Sequence, residues 1–198
     1  MDDARALYLD LMKRTLTNWV YGHHETAPVP FSSETKKSII EFFRKHGLQV
    51  VRPQPMDPRR RALGDDWPPT AHTMIGFKRL DNVQFCVESA LAEGVPGDLM
   101  ETGVWRGGTT IFMRAILKAH GVTDRTVWVA DSFEGLPKPD VEKYPQDAGS
   151  KLYEHKALAV PLEEVRANFQ RYGLLDEQVR FLKGWFKDTL PEAPIERL

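Results

Sequence analysis

The sequence contains a single cysteine, Cys86, which excludes an internal disulfide framework and a cysteine-based zinc cluster. Because Cys86 lies between Phe85 and Val87 in a helical pattern, we interpret it as a small core residue rather than a nucleophile. An excess of basic residues is also lacking, since 27 Lys and Arg stand against 28 Asp and Glu, for a formal net charge of -1. This balance argues against a nucleic-acid binder and against a membrane-surface binder.

Long apolar runs are absent as well, and none approaches the ~20 residues that a membrane span requires. The N-terminus mixes both charge signs and leads into an amphipathic pattern, so we expect no signal peptide and a cytoplasmic protein. The one basic cluster, Arg59 to Arg61, lies in a proline-rich stretch and is followed by Asp65 and Asp66. We interpret this cluster as a solvated turn.

The 198 residues, with 41% hydrophobic and 28% charged, are typical of a globular protein with one domain and an appendage. Helical periodicity predicts a first helix from Ala4 to Val20 and a second that opens at Ser33. Five prolines between Arg52 and Pro69 predict a linker without helix. We therefore divide the chain into a helical extension with a linker, 1–70, and a Rossmann-like domain, 71–198. We expect the apolar stripe of the first helix to pack on a neighbouring subunit or over the substrate entrance, which predicts a homo-oligomer.

After residue 73 the pattern alternates between helices and strands. An amphipathic helix precedes a strand at 98–102, a helix opens at Thr109, and further strands follow at 126–130 and 179–182. Strand, glycine turn, helix and strand within about thirty residues form a βαβ unit. The predicted class is α/β, with a parallel sheet flanked by helices.

Two acids and a glycine turn form the predicted site. Glu101 ends the first strand, glycines at 103, 107 and 108 follow it, and Asp131 ends the next strand, where a carboxylate can accept hydrogen bonds from ribose hydroxyls. A dinucleotide site needs G-x-G-x-x-G and a P-loop needs Gly-Lys-Ser/Thr, and neither motif matches. S-adenosylmethionine carries a ribose without phosphate, so it fits this arrangement better. A non-catalytic cofactor-binding or interaction module remains an alternative, and an NAD-linked oxidoreductase is disfavoured.

Five motifs resemble the macrocin O-methyltransferase family; they lie at 71–76, 102–108, 129–135, 171–176 and 184–189. These enzymes methylate sugar hydroxyls of macrolide and aminocoumarin antibiotics with S-adenosylmethionine and usually Mg²⁺. The resemblance runs from about Leu7 to the last residue, although the segment from Phe31 to Arg61 is not part of the pattern. It implies a class I methyltransferase fold, a small glycosylated substrate, and no nucleic-acid or membrane partner.

The resemblance also implies a set of cofactor contacts. Glu101 and Gly103 would contact the methionine end of the cofactor, and Asp131 with Ser132 would contact the ribose. Trp185 and Phe186 would lie at the adenine edge, unless they are plain core aromatics. The full set is Thr73, Met74, Glu101, Thr102, Gly103, Arg106, Gly107, Asp131, Ser132, Gly184, Trp185 and Phe186.

The metal ligands of the family are aspartates that follow the Gly-Trp-Phe segment, and this sequence ends at Leu198 before them. We therefore expect an N-terminal portion of such an enzyme, inactive alone, and we assign it no metal ligand and no catalytic residue. The long polar segment from Ser132 to Val160 is predicted to cover the site as a lid.

Overall fold

The structure is a computed structural model that describes residues 2–29 and 34–198. In those ranges the helices are α1 Asp2–Leu16, α2 Glu34–Lys45, α3 Pro58–Leu63, α4 Gly76–Ala92, α5 Gly108–Ala119, α6 Leu162–Arg171 and α7 Phe186–Thr189. The strands are β1 Thr26–Pro28, β2 Val51–Pro53, β3 Leu99–Thr102, β4 Val127–Asp131 and β5 Val179–Lys183. No described helix has the length and apolar character needed to cross a membrane.

The central sheet is parallel, with the strand order β3-β4-β5. In its register Glu101 lies beside Val129, and Asp131 lies beside Lys183. Helix α5 connects β3 to β4, and α6 precedes β5, so the predicted α/β class with a parallel sheet is confirmed. Because parallel strands end at the same edge, the residues after β3, β4 and β5 are brought together there.

The core lies between the sheet and α5. Ile111 and Phe112 of α5 are fully buried, as are Val127 and Val129 of β4. Phe169 of α6 closes the same cluster. Full burial of each such side chain contributes about 1.5–3 kcal/mol, so this layer holds the strand ends in fixed positions.

Helix α1 belongs to this core and packs against α4 and α5. Its stripe of Leu9, Met12 and Leu16 is buried in the main cluster, so the expectation that it covers a neighbouring subunit or the substrate entrance is wrong. The helix also ends at Leu16 rather than near residue 20. Asn18 adopts a left-handed backbone with φ 51°, which a continuing helix does not allow.

The proline-rich linker contains a helix, α3, so the expectation of a helix-free linker is wrong. Asp57 caps α3, since its side chain accepts hydrogen bonds from the amides of Arg59 and Arg60. Pro58 occupies the first turn, where the missing N–H has no intrahelical partner in any case. Gly64 ends the helix with φ 71°.

Arg61, on α3, is buried and corrects the prediction of a solvated basic turn. Its side chain is only 2% exposed and makes ion pairs of 2.7 Å with Glu25 and of 2.7 Å with Asp66. Arg59 and Arg60 are exposed, as predicted. The two carboxylates supply the compensation without which a guanidinium is not buried.

Cys86 is exposed, which corrects its interpretation as a core residue. The buried face of α4 carries Leu80 and Val87, and Cys86 lies about 100° around the helix from Val87. Its neighbour Phe85 is 67% exposed on the same outer side.

The pair β1 and β2 is antiparallel and lies outside the central sheet. Helix α2 connects the two strands. The predicted opening of this helix at Ser33 lies outside the described residues.

Candidate functional site

A cavity of about 380 Å³ lies where the three parallel strands end. Its walls come from the loops after β3, β4 and β5 and from the lid segment. It is lined by Met74, Gly103, Trp105, Asp131, Ser132, Gly135, Leu136, Pro137, Leu158, Gly184, Trp185 and Phe186.

A larger and more open hollow, of about 920 Å³, lies at the opposite end of the strands beside Asp98, Thr126 and Arg180. Ligands of open α/β sheets bind at the carboxyl ends of the strands, and the glycine turn lies there. The 380 Å³ cavity is therefore the candidate site.

The turn after β3 has an unusual backbone. Gly103 and Gly107 have φ values of 86° and 83°, and between them Trp105 has φ 50°. A left-handed tryptophan is strained by about 1–3 kcal/mol, and the surrounding contacts must hold it there. The Gly103 amide donates to the Ala130 carbonyl at 2.8 Å, which joins this turn to β4.

Asp131 fixes two loops at once. Its Oδ2 accepts a hydrogen bond from the Val104 amide at 2.7 Å, and its Oδ1 accepts one from the Phe133 amide at 2.8 Å. Its own carbonyl accepts from the Gly184 amide at 2.9 Å. Each carboxylate oxygen keeps further acceptor capacity, so the group can also bind a ligand's hydroxyls.

Glu101 lies in β3 behind this turn. Burial raises the pKa of its carboxyl to about 7, and the nearby Asp131 charge adds to the rise. Interactions with the Thr109 hydroxyl and the Thr110 amide oppose the shift. Its Oε2 is buried and has no hydrogen-bond partner within the described residues.

The outer wall of the cavity is apolar and includes part of the predicted lid. Leu136, Pro137 and Leu158 line the cavity. The Trp105 indole N–H donates to the Ala157 carbonyl at 2.8 Å, which fastens the segment to the glycine turn. The lid residues thus exclude water from one side of the cavity.

Seven of the twelve predicted site residues line the cavity. They are Met74, Gly103, Asp131, Ser132, Gly184, Trp185 and Phe186. The other five do not line it; they are Thr73, Glu101, Thr102, Arg106 and Gly107.

Three of the non-lining residues have contacts that explain their place in the fold. The Arg106 guanidinium donates to the carbonyls of Pro69 and Ala71, at 3.0 and 2.8 Å. The Thr73 hydroxyl accepts from the Ile75 amide at 3.3 Å, and Gly107 is the N-cap of α5. These contacts place Arg106, Thr73 and Gly107 in support of the cavity walls.

Five lining residues were absent from the predicted set, namely Trp105, Gly135, Leu136, Pro137 and Leu158. Trp105 lies inside the motif at 102–108 that resembles the family, so the sequence offered a reason to include it among the site residues. Leu158 lies 23 residues from Gly135, and nothing in the local pattern indicates that the lid returns to the cavity at that point.

Comparison with known proteins identifies the family of this chain. The family model for macrocin O-methyltransferase (TylF) matches residues 5–198. The chain belongs to the macrocin O-methyltransferase family. The match also runs through 31–61, so the expectation that this segment lies outside the family pattern is wrong.

Two curated relatives show how close the likeness is. The chain is 59% identical over 198 residues to 8-demethyl-8-(2,3-dimethoxy-alpha-L-rhamnosyl)-tetracenomycin-C 4'-O-methyltransferase of Streptomyces olivaceus, covering 100% of this chain and 68% of the relative. It is 52% identical over 195 residues to mycinamicin III 3''-O-methyltransferase of Micromonospora griseorubida, and the match covers 97% of this chain and 69% of that relative.

A solved structure is similar over the same length. The O-methyltransferase NovP has a TM-score of 0.80 and 49% identity, covering 97% of this chain and 69% of that one. This likeness confirms the expected methyltransferase fold. As a family member, the chain is an enzyme, an O-methyltransferase.

The resemblance implied a Mg²⁺ site in the family. Within residues 2–29 and 34–198, no group of three or more His, Cys, Asp or Glu side chains is placed to hold a metal ion. We therefore assign no metal ligands there and derive no step of the reaction through the ion.

Proposed function

We propose that the cavity at the carboxyl ends of β3, β4 and β5 binds S-adenosylmethionine and that the enzyme methylates a sugar hydroxyl of a glycosylated natural product. The observation that carries the proposal is the convergence of Gly103, Asp131 and Gly184 on one 380 Å³ cavity. These residues come from three different strand ends. An open α/β sheet binds its ligand at such a convergence.

Electrostatics favour a cationic cofactor over a phosphorylated one. Asp131 lines the cavity and Glu101 lies close enough to couple to it, while no Lys or Arg is among the described lining residues. A sulfonium and an ammonium are stabilised beside carboxylates, whereas a pyrophosphate is repelled by them. This supports S-adenosylmethionine and disfavours NAD.

The walls match the parts of that cofactor. Asp131 would accept from the ribose hydroxyls, and Glu101, buried behind the cavity lining, would compensate the charge of the methionine ammonium. Trp185, Phe186 and Leu136 give the apolar surface that an adenine ring needs.

When bound, the cofactor supplies an electrophilic methyl group that the acceptor oxygen takes by in-line attack. The contribution of the chain is positioning, because it holds the cofactor rigidly and keeps water out. Trp105 performs both tasks, since it lines the cavity and donates to the lid at Ala157.

The acceptor class follows from the relatives. One relative's name specifies a rhamnosyl group on tetracenomycin C, and another's specifies mycinamicin III. We propose an acceptor of the same class, a small glycosylated molecule of macrolide, aminocoumarin or aromatic polyketide type.

Calorimetry tests the cofactor assignment. Titration with S-adenosylhomocysteine and S-adenosylmethionine is expected to show binding, and titration with NAD is expected to show none. Binding of NAD but of neither adenosyl compound would overturn the proposal. Calorimetric titration of the S-adenosylhomocysteine-loaded chain with a rhamnosylated tetracenomycin then tests the acceptor class by binding alone.

We further propose a homo-oligomer that works in the cytoplasm. Helix α2 presents Ile39, Phe42 and Phe43 to solvent, and exposed apolar patches mark protein contacts. The exposed thiol of Cys86 suits a reducing compartment. Light scattering over a wide concentration range is expected to show a species larger than the monomer, and a monomer throughout would contradict this.

A further inference from the structure

A second cavity, of about 330 Å³, lies beside α3 and is separate from the proposed cofactor cavity. It is lined by Gln54 and Met56, which follow β2, and by Trp67 and Pro69, which follow α3. The proposed reaction has not used this cavity. We call it the α3 cavity.

The aromatic residue of the α3 cavity is open to solvent. Trp67 is 55% exposed, although a tryptophan side chain favours burial. An exposed indole on a cavity wall offers an apolar face and a polar N–H to a ligand. Pyranose rings present a face of C–H groups and an edge of hydroxyls, which suits such a wall.

Three of the five charged side chains that line the α3 cavity pair with one another. Glu25, Asp57 and Asp66 supply three carboxylates, and Arg60 and Arg61 supply two guanidinium groups. Arg61 is paired with Glu25 and Asp66, and hydrogen bonding to Arg61 holds the pKa of Glu25 below its ordinary value against the opposing effect of burial. A cavity with one more carboxylate than guanidinium groups repels phosphate and disfavours any anionic ligand.

Neutral hydrogen-bonding groups remain for a ligand. The Gln54 side chain offers both an amide N–H₂ and a carbonyl oxygen, which is the pairing that a sugar hydroxyl uses as acceptor and donor. The buried Arg61 network lies in the same lining, and the Gln54 backbone amide donates to the Glu25 carbonyl at 2.8 Å, so the cavity is preformed.

The residues that line the α3 cavity are connected to those that line the cofactor cavity by two sets of contacts. The Trp67 ring contacts the His155 ring with centroids 5.4 Å apart. Two residues later the Ala157 carbonyl accepts from Trp105, and Leu158 lines the cofactor cavity. The short segment 155–158 therefore contacts Trp67 of the α3 cavity and lines the cofactor cavity at Leu158.

The second connection runs through Pro69 and Arg106. Pro69 lines the α3 cavity, and its carbonyl accepts from Arg106. The Arg106 guanidinium lies 4.2 Å from the ring centre of Trp105, which lines the cofactor cavity. A ligand that spans the two cavities would thus lie across these contacts.

We propose that the α3 cavity is a carbohydrate subsite, which binds a neutral glycosyl unit of the acceptor through the exposed face of Trp67 and the amide of Gln54. This inference rests on the proposed function, because it names where a glycosylated acceptor is held. It places a sugar-recognition element outside the cavity proposed for the cofactor.

Saturation-transfer-difference NMR on the full chain, with methyl α-L-rhamnopyranoside as the probe and S-adenosylhomocysteine present, tests the subsite. Saturation is expected to reach the pyranose ring protons. Trp67→Ala and Gln54→Ala are each expected to weaken the transfer by roughly fivefold or more. Phe85→Ala, which removes another exposed aromatic ring far along α4, is expected to leave it unchanged.

Calorimetry with S-adenosylhomocysteine on the same variants separates this inference from the proposed function. Unchanged affinity in Trp67→Ala is expected, since Trp67 does not line the cofactor cavity. Absence of saturation transfer to the rhamnoside in the wild-type chain would overturn the subsite, even where cofactor binding is intact. Saturation transfer that survives Trp67→Ala would overturn it as well. Transfer that inorganic phosphate abolishes by competition would also overturn it, because it would show an anion site.

Discussion

At the residue scale, the two acids of the site have different surroundings although both lie at strand ends. Asp131 accepts two backbone amides, from Val104 and Phe133, and hydrogen bonds of this kind stabilise a carboxylate. Glu101 is buried with one oxygen unpartnered, and the pKa of its carboxyl rises to about 7. The first acid is suited to accept hydrogen bonds from ribose hydroxyls, and the second gains from a cation nearby.

Asp131→Ala is expected to weaken S-adenosylhomocysteine binding ten- to hundredfold, about 1.5–3 kcal/mol, because charge-assisted hydrogen bonds are removed. It also leaves the Val104 and Phe133 amides without their acceptor, so the free energy of unfolding is expected to fall. Calorimetry and urea unfolding measure the two effects. Asp140→Ala, in the exposed loop, is the control and should leave affinity alone. Wild-type affinity in a folded Asp131→Ala protein would contradict the ribose role.

Glu101→Gln is expected to change how stability depends on pH. The pKa of Glu101 is raised from 4.5 to about 7 in the folded chain, so the folded state keeps a proton that the unfolded state loses. The contribution of Glu101 to the free energy of unfolding should therefore fall by about 2–3 kcal/mol as pH rises from 4.5 to 8.

In Glu101→Gln this fall is expected to be absent, and urea unfolding at several pH values measures it. The same slope in the variant and the wild type would show that Glu101 titrates normally.

At the element scale, α3 is held by a buried ion network rather than by an apolar face. Arg61 donates to Glu25 and Asp66 and also to the Thr17 carbonyl, which ties α3 to β1 and to the end of α1. Asn18 and Thr70 complete the hydrogen bonds of Glu25. The network joins two stretches that are distant in sequence, 17–25 and 61–70.

Arg61→Met is expected to lower the free energy of unfolding by about 3–5 kcal/mol, because the buried Glu25 carboxylate loses its counter-charge. Arg59→Ala, two residues away and exposed, is the matched control and should change it by less than about 0.5 kcal/mol. Equal, small effects in the two variants, measured by urea unfolding, would show that the network contributes little.

The start of α5 makes a close backbone approach. The Gly108 amide donates to the His72 carbonyl at 3.0 Å, and a Cβ at Gly108 would lie 2.4 Å from that oxygen. Gly108→Ala is expected to cost about 1–3 kcal/mol of stability by overpacking. Gly149→Ala, where a Cβ meets nothing within 4 Å, is the control. Thermal unfolding of both variants measures the difference, and similar melting temperatures would refute the steric argument.

At the scale of the whole molecule, the lid joins the parts of the site. It starts after β4, contacts Trp105 through Ala157, reaches Trp67 through His155, and returns to α6. Its secondary structure is short 3₁₀ turns with exposed side chains, which places it at the low-stability end of the fold.

Cofactor binding is expected to protect the lid from trypsin, because Leu136 and Leu158 line the cavity that the cofactor would fill. Cleavage after Lys143 and Lys151 should slow by roughly threefold or more with saturating S-adenosylhomocysteine. Cleavage after Lys45, at the end of α2, is the internal control. Equal rates at all sites with and without ligand, measured by mass spectrometry, would contradict the coupling.

The sequence by itself determined the α/β class, the positions of the three parallel strands along the chain and the strand-end acid Asp131. These follow from local periodicity and from where each apolar run stops. The apolar run from Val127 to Ala130 is a case in which composition alone indicates a strand buried on both faces. Six of the seven proposed cofactor contacts that line the cavity lie at or just after the ends of parallel strands, which must end together, whereas Met74 precedes α4 and reaches the cavity through tertiary packing.

Only the tertiary structure decided which groups are buried against each other. Arg61 lies 36 residues from Glu25, and a basic cluster among prolines gives no local sign of that distant partner. The return of Leu158 to the cavity and the packing of α1 on α5 likewise depend on contacts between distant segments. Local pattern fixes the elements, whereas the pairing of charges and the closing of loops are set by the free energy of the whole packed chain.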